Sequence, residues 1–93
     1  MTEVEILAEV KKSRGITGDY LDNKALGYIK EVLQYLIDAG VPESVAQASS
    51  SVGVIIRGVS DLWDNNGLSD YFYQRVTQLA YKTDAEEGKT DEI

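Results

Sequence analysis

Apolar residues recur along this chain at three- and four-residue intervals, the period of a helix face, and glycine, proline and asparagine separate the runs. The pattern predicts four helical segments. Ile6, Leu7 and Val10 stripe the first, with Glu3 and Glu5 at its start and Lys11, Lys12 and Arg14 at its end, as the helix macrodipole favours. Gly15 and Gly18 then break it. The second segment, 22–39, carries Ala25, Tyr28, Ile29, Val32, Leu36 and Ala39, and Leu26, Leu33 and Ile37 widen the stripe. A helix this apolar needs cover on more than one side. Gly40 is placed to close it as a left-handed cap, and Pro42 to open the next helix.

The third segment, 42–64, keeps the period through Val45, Ala48, Val52, Ile55, Ile56, Val59 and Leu62. Its first half is rich in alanine, serine and glycine, poor helix formers apart from alanine, so packing must stabilise it as a central, crowded helix. The β-branched run from Val52 to Val59 is the one strand candidate, and its spacing is helical. Asp64-Asn65-Asn66-Gly67 marks a turn, after which Ser69 can cap a fourth helix with Leu68 and Tyr73 as a hydrophobic staple. Phe72, Val76, Leu79 and Ala80 give that helix its buried face. Residues 83–93 hold five acids, one lysine and little that is apolar, a composition that cannot repay its ordering entropy. The expected fold is all-α: a compact bundle of about four helices with two long central ones. A single domain spans 1–82, and a disordered acidic tail spans 83–93.

Composition narrows the chemistry. In 93 residues there is room for one core, and there is neither cysteine nor histidine. Disulfides, thiolate sites and the commonest general base and zinc ligand are thereby excluded. Sixteen acids against nine bases give a net charge of −7, the wrong overall sign for a phosphate-binding or anionic-membrane surface. The first residues are acidic where a secretory signal would be basic, and no apolar run approaches the roughly 20 residues of a membrane span.

Asp61 with Asp64, and Asp19 with Asp22, are spaced to share a helix face and act as acid and base, but acids at such places far more often cap helices or solvate them. Serines are plentiful, yet neither Ser-x-x-Lys nor Gly-x-Ser-x-Gly occurs. Residues 61–67 combine acids, asparagines and a glycine without calcium-loop spacing. No catalytic, cofactor or metal residue is assigned, and the chain is read as no enzyme. The stretch from Ala39 to Ala46 has the form of a helix-turn-helix corner, but the helix after it opens with Glu43 and meets no base until Arg57. Aromatics at helical spacing are usually core, which suits Phe72 and Tyr28. Trp63, Tyr71 and Tyr73 cannot all point inward in so small a domain, and surface aromatics anchor protein interfaces. Arg57 lies off the apolar stripe, free to pair with an acid of its own chain or of a neighbouring subunit.

Three stretches carry a family resemblance: Asp22-Asn23-Lys24-Ala25-Leu26-Gly27-Tyr28-Ile29, Val52-Gly53-Val54-Ile55-Ile56-Arg57-Gly58-Val59-Ser60-Asp61-Leu62-Trp63, and Leu68-Ser69-Asp70-Tyr71-Phe72-Tyr73-Gln74-Arg75-Val76. From about Ile6 to Lys82 the chain resembles the small head–tail connector, or head completion adaptor, proteins of long-tailed phages. The resemblance implies a structural adaptor in the virion, made in the host cytoplasm. In the virion it would form a cyclic homo-oligomer, such as a dodecamer, between the portal protein and a tail-side connector or stopper, with a monomer in isolation as the open alternative. DNA would pass through the ring without specific binding, which an acidic lining favours. It further implies that the C-terminal segment grips the portal and orders on binding. The expected interface residues are Arg57, Trp63, Tyr71 and Tyr73, with Thr83, Asp84, Glu86, Glu87 and Ile93 of the tail. A small regulatory protein-binding module is the alternative, and a helix-turn-helix DNA binder the third reading.

Overall fold

The structure, a computed structural model, describes residues 1–91, with side chains through Tyr81. Its first helix, α1 (Glu3–Arg14), starts at a capping box: the Thr2 hydroxyl accepts from the Glu5 amide at 3.2 Å, and the Glu5 carboxylate accepts from the Thr2 amide at 2.9 Å. The N-terminal ammonium donates to the Gln47 carbonyl, which ties the start of α1 to the middle of the chain.

Helix α2 (Asp22–Asp38) ends as its glycine suggests. Gly40 takes φ +99°, the Gly40 amide bonds the Ile37 carbonyl at 3.0 Å, and the Val41 amide reaches back to Leu36 at 2.9 Å. This is a Schellman closure, and the buried Val41 side chain supplies its hydrophobic contact.

The third segment is not one helix. Pro42 does open a helix, but α3 (Glu43–Ala46) is a single turn. Ala48 is extended at φ −70°, ψ 148°, and a 3-10 turn at Ser49–Ser51 leads into α4 (Val52–Asn65). The break has a local cause. The Ser51 hydroxyl donates to the Val45 carbonyl at 2.7 Å, a side-chain bond that competes with helix continuation, and serine favours such alternatives. Small residues here mark a corner, and the crowded central helix begins only at Val52.

Asn66, at φ 57°, ends α4 in the left-handed conformation that asparagine tolerates. Helix α5 (Asp70–Asp91) starts where the Ser69 hydroxyl accepts from the Phe72 amide at 3.2 Å, the expected cap. The expected disordered tail, 83–93, lies outside the residues described with side chains. No strand occurs among the described residues, and none of their helices is long and apolar enough to cross a membrane.

The core runs through all four longer helices. Ile6 and Val10 of α1, Ile29, Val32 and Leu36 of α2, Ile55 and Val59 of α4, and Phe72 of α5 are fully buried. Each contributes roughly 1.5–3 kcal/mol of gross hydrophobic stabilisation. Helices α2 and α4 form the centre, with α1 packed on both and α5 on α4. Gly58 makes the α2–α4–α5 junction possible: a Cβ there would stand 2.7 Å from the Phe72 ring and 3.0 Å from both Val32 methyls. Of α5, Phe72 and Val76 are buried, Leu79 and Ala80 are half-buried, and Tyr81 stands in solvent.

Candidate functional site

Helix α5 presents three tyrosines outward. Tyr71, Tyr73 and Tyr81 are 53%, 41% and 76% exposed, although Phe72 between the first two is fully buried. The alternation follows from burying one stripe of a helix whose apolar residues spread around more than half of it. Tyr73 is held by rings on its inner side, with centroids 5.5 Å from Tyr35 and 6.2 Å from Phe72. Tyr35 also packs against Phe72 at 5.6 Å. Burial pushes the Tyr35 phenol above its ordinary pKa, and the neighbouring Tyr73 adds to the shift. Between α2 and α5 lies a groove of about 280 Å³, lined by Tyr35, Ala39, Tyr73, Val76, Thr77 and Tyr81. It has apolar walls, phenol hydroxyls for rim hydrogen bonds and no charged lining residue. Such a surface suits the apolar side chains of another protein.

Arg57 pairs within its own chain. Its Nε donates to Asp61 Oδ1 at 3.1 Å, and its guanidinium carbon lies 4.9 Å from the centre of the Tyr71 ring. Asp61 is one of two buried polar residues among those described. Its Oδ2 accepts from the Ser69 hydroxyl at 2.6 Å and the Ser69 amide at 3.1 Å. Both oxygens are therefore engaged in joining α4 to the start of α5. Asp64 meets Arg14 in a two-pronged pair at 2.8 and 3.2 Å, and the guanidinium holds its carboxyl below the ordinary 3.8. The two acids thus serve separate structural bonds.

Trp63 has a different setting from Tyr71 and Tyr73. It is half-buried, 5.6 Å from the Tyr28 ring, with the Arg14 guanidinium 4.5 Å and the Lys24 ammonium 5.2 Å from its centre. Cations from α1 and α2 thus clasp an aromatic from α4, and the Lys11–Asp22 ion pair at 2.8 Å closes the same end of the bundle. Tyr28, expected in the core, is half-buried against this tryptophan. The helix-turn-helix corner lacks a recognition helix, because α3 ends at Ala46. Thr83, Asp84, Glu86, Glu87 and Ile93 lie outside the residues described with side chains.

The Asp61–Ser69 link is not apparent from sequence; Tyr35 is, as the partner of Tyr28 at seven-residue spacing along one face of α2, but not as part of an interface. Comparison with protein-family models, with curated proteins and with solved structures returned no match.

Proposed function

We propose that this chain is a non-catalytic adaptor that works by docking to other proteins through the groove between α2 and α5. On its resemblance to head–tail connectors, it assembles as a ring in a phage virion, between the portal protein and a tail-side connector or stopper. The single observation that carries the docking reading is the groove beside Tyr35, Tyr73 and Tyr81. There Tyr73, held on its inner side by the rings of Tyr35 and Phe72, remains open to solvent beside the exposed Tyr81. Rigid aromatics lose little conformational entropy on binding, so they make effective anchors. The portal and assembly roles are supported by the three resembling stretches, and the acidic balance suits a conduit to which DNA does not adhere.

The test is sizing of the full chain alone and mixed with the purified portal protein of the genome that encodes it. Co-migration with the portal supports the adaptor. A chain that leaves the portal's profile unchanged, yet captures a regulatory protein from the same genome, supports the small regulatory module instead.

A further inference from the structure

We infer that the partner segment seated in the α2–α5 groove is cationic: apolar side chains enter beside Tyr35 and Tyr73, and lysines or arginines flank them. This rests on the reading of that groove as the docking site and specifies what it accepts.

Helices α2 and α5 each pack on α4, and Tyr35 bridges them through the rings of Phe72 and Tyr73. Beside that bridge, Val76 and Ala80 help line a space of about 280 Å³ that suits aliphatic side chains. The Thr77 hydroxyl donates to the Tyr73 carbonyl at 2.9 Å, which leaves this wall mostly apolar. The phenol oxygens of Tyr35, Tyr73 and Tyr81 make no hydrogen bond among the described residues and can accept from an ammonium or guanidinium.

Charge complementarity selects the occupant. Glu31 stands one turn before Tyr35 and Asp38 three residues after it, so both border the groove along α2. Asp70 stands three residues before Tyr73 and borders it along α5. All three are exposed, and none forms an ion pair among the described residues; Asp38 accepts only from Gln34, at 2.8 Å. Bases are kept off this rim. Lys30 and Arg75 lie five residues from Tyr35 and two from Tyr73, spacings that turn them to other sides of their helices. Lys24 lies over the Trp63 ring, and Arg57 over Tyr71 on the far side of α5 from Tyr73.

Asp38 adds an independent sign. It ends α2, whose last turn holds no base, and the macrodipole disfavours an acid there. Helix α1, by contrast, ends on Lys11, Lys12 and Arg14. An unpaired acid at that terminus weakens the free protein, and an arriving cation removes the penalty. The open faces of Tyr73 and Tyr81 attract the same groups. An acidic segment would instead meet three like charges.

Model peptides test this on the full, isotope-labelled chain. One carries leucines at helical spacing flanked by lysines; a second has glutamates for the lysines; a third keeps the lysines but has serines for the leucines. The leucine–lysine peptide should bind about tenfold more tightly than either of the others and shift the ring resonances of Tyr35, Tyr73 and Tyr81. Glu31→Gln with Asp38→Asn should weaken it about tenfold, and less so at high salt, while Tm holds or rises because the α2 terminus is relieved. Glu9→Gln with Asp19→Asn removes as much charge from α1 and the loop after it, and should leave binding nearly unchanged. Equal binding of the leucine–glutamate peptide, resonance shifts centred away from the groove, or parental binding by the Glu31→Gln, Asp38→Asn chain overturns the inference. The portal titration is read separately. A portal that binds through Tyr73 and Tyr81 yet ignores Glu31→Gln, Asp38→Asn sinks this inference and spares the docking site; a leucine–lysine peptide that binds as expected beside a silent portal keeps the inference and removes the portal role.

Discussion

Replacing Gly58 by alanine sets two well-measured effects against each other, and the packing decides the sign. In an open helix the change stabilises by about 0.5–1 kcal/mol, because alanine has less backbone freedom to lose. At Gly58 the new methyl would stand 2.7 Å from Phe72 Cε2 and 3.0 Å from both Val32 methyl carbons. Both side chains are fully buried, so neither can swing into solvent. Forcing a methyl into a filled core costs about 1–3 kcal/mol, and three simultaneous close approaches favour the upper half of that range. The expected net result is a loss of about 1–2 kcal/mol, or roughly 5–15 °C in Tm for a domain this small. Gly27 is the control. It lies in α2 with nothing within 4 Å of its would-be Cβ, so Gly27→Ala should gain about 0.5–1 kcal/mol. Urea denaturation followed by circular dichroism at 222 nm reads both. In a Phe72→Leu background the Gly58→Ala penalty should shrink, since the closest clashing atom is gone. If Gly58→Ala stabilises as much as Gly27→Ala does, α2, α4 and α5 do not meet as described and the reasoning fails.

Three further outcomes follow from the same structure. Asp61→Ala should cost about 2–3 kcal/mol by equilibrium unfolding, since it strands the Ser69 amide and removes a charge-assisted partner of Arg57; a change under about 0.5 kcal/mol would mean the α4–α5 link is not formed. Ser69→Ala should cost about 1 kcal/mol as a lost N-cap, and combined with Asp61→Ala the two should sum to less than their separate costs, because they share a bond. Hydrogen bonding to Thr2 holds Glu5 below its ordinary 4.5, and Arg14 holds Asp64 below its ordinary 3.8. A carboxyl lowered by folding stabilises the protein above its unfolded value and loses that contribution as pH falls through its folded one, so stability should decline below about pH 4.5, and the Glu5→Gln, Asp64→Asn double variant should show a shallower acid limb in unfolding at stepped pH.

Much of the architecture is legible in the chain because its local signals agree. The α2 stripe, the Gly40 closure followed by Pro42, the Asn66 turn and the Ser69 cap each predict the same boundaries that tertiary packing enforces. Where they conflict, the pattern misleads. Apolar periodicity through Val45, Ala48 and Val52 predicts an unbroken helix, but Ser49, Ser50 and Ser51 compete for the backbone, and the chain turns at Ala48. Thr2 and Glu5 spell a capping box that acid placement alone did not reveal. The candidate site is legible only in kind. Too many aromatics for the core predicts surface tyrosines, and Tyr71 and Tyr73 are there. Composition does not reveal which aromatic a pair of cations will clasp, since Arg14, Lys24 and Trp63 come from three helices. The Asp61–Ser69 bond spans a turn, and only its folded path brings the two together.

Docking through the tyrosine groove is measured most directly by calorimetric titration of the portal protein with the full chain and with its Tyr73→Ala, Tyr81→Ala variant, alongside the Tm of each. Truncating two aromatic anchors should weaken binding by about 2 kcal/mol or more, some thirtyfold, while Tm moves by only a few degrees. Portal affinity that is identical in the variant, with the fold intact, would contradict the account.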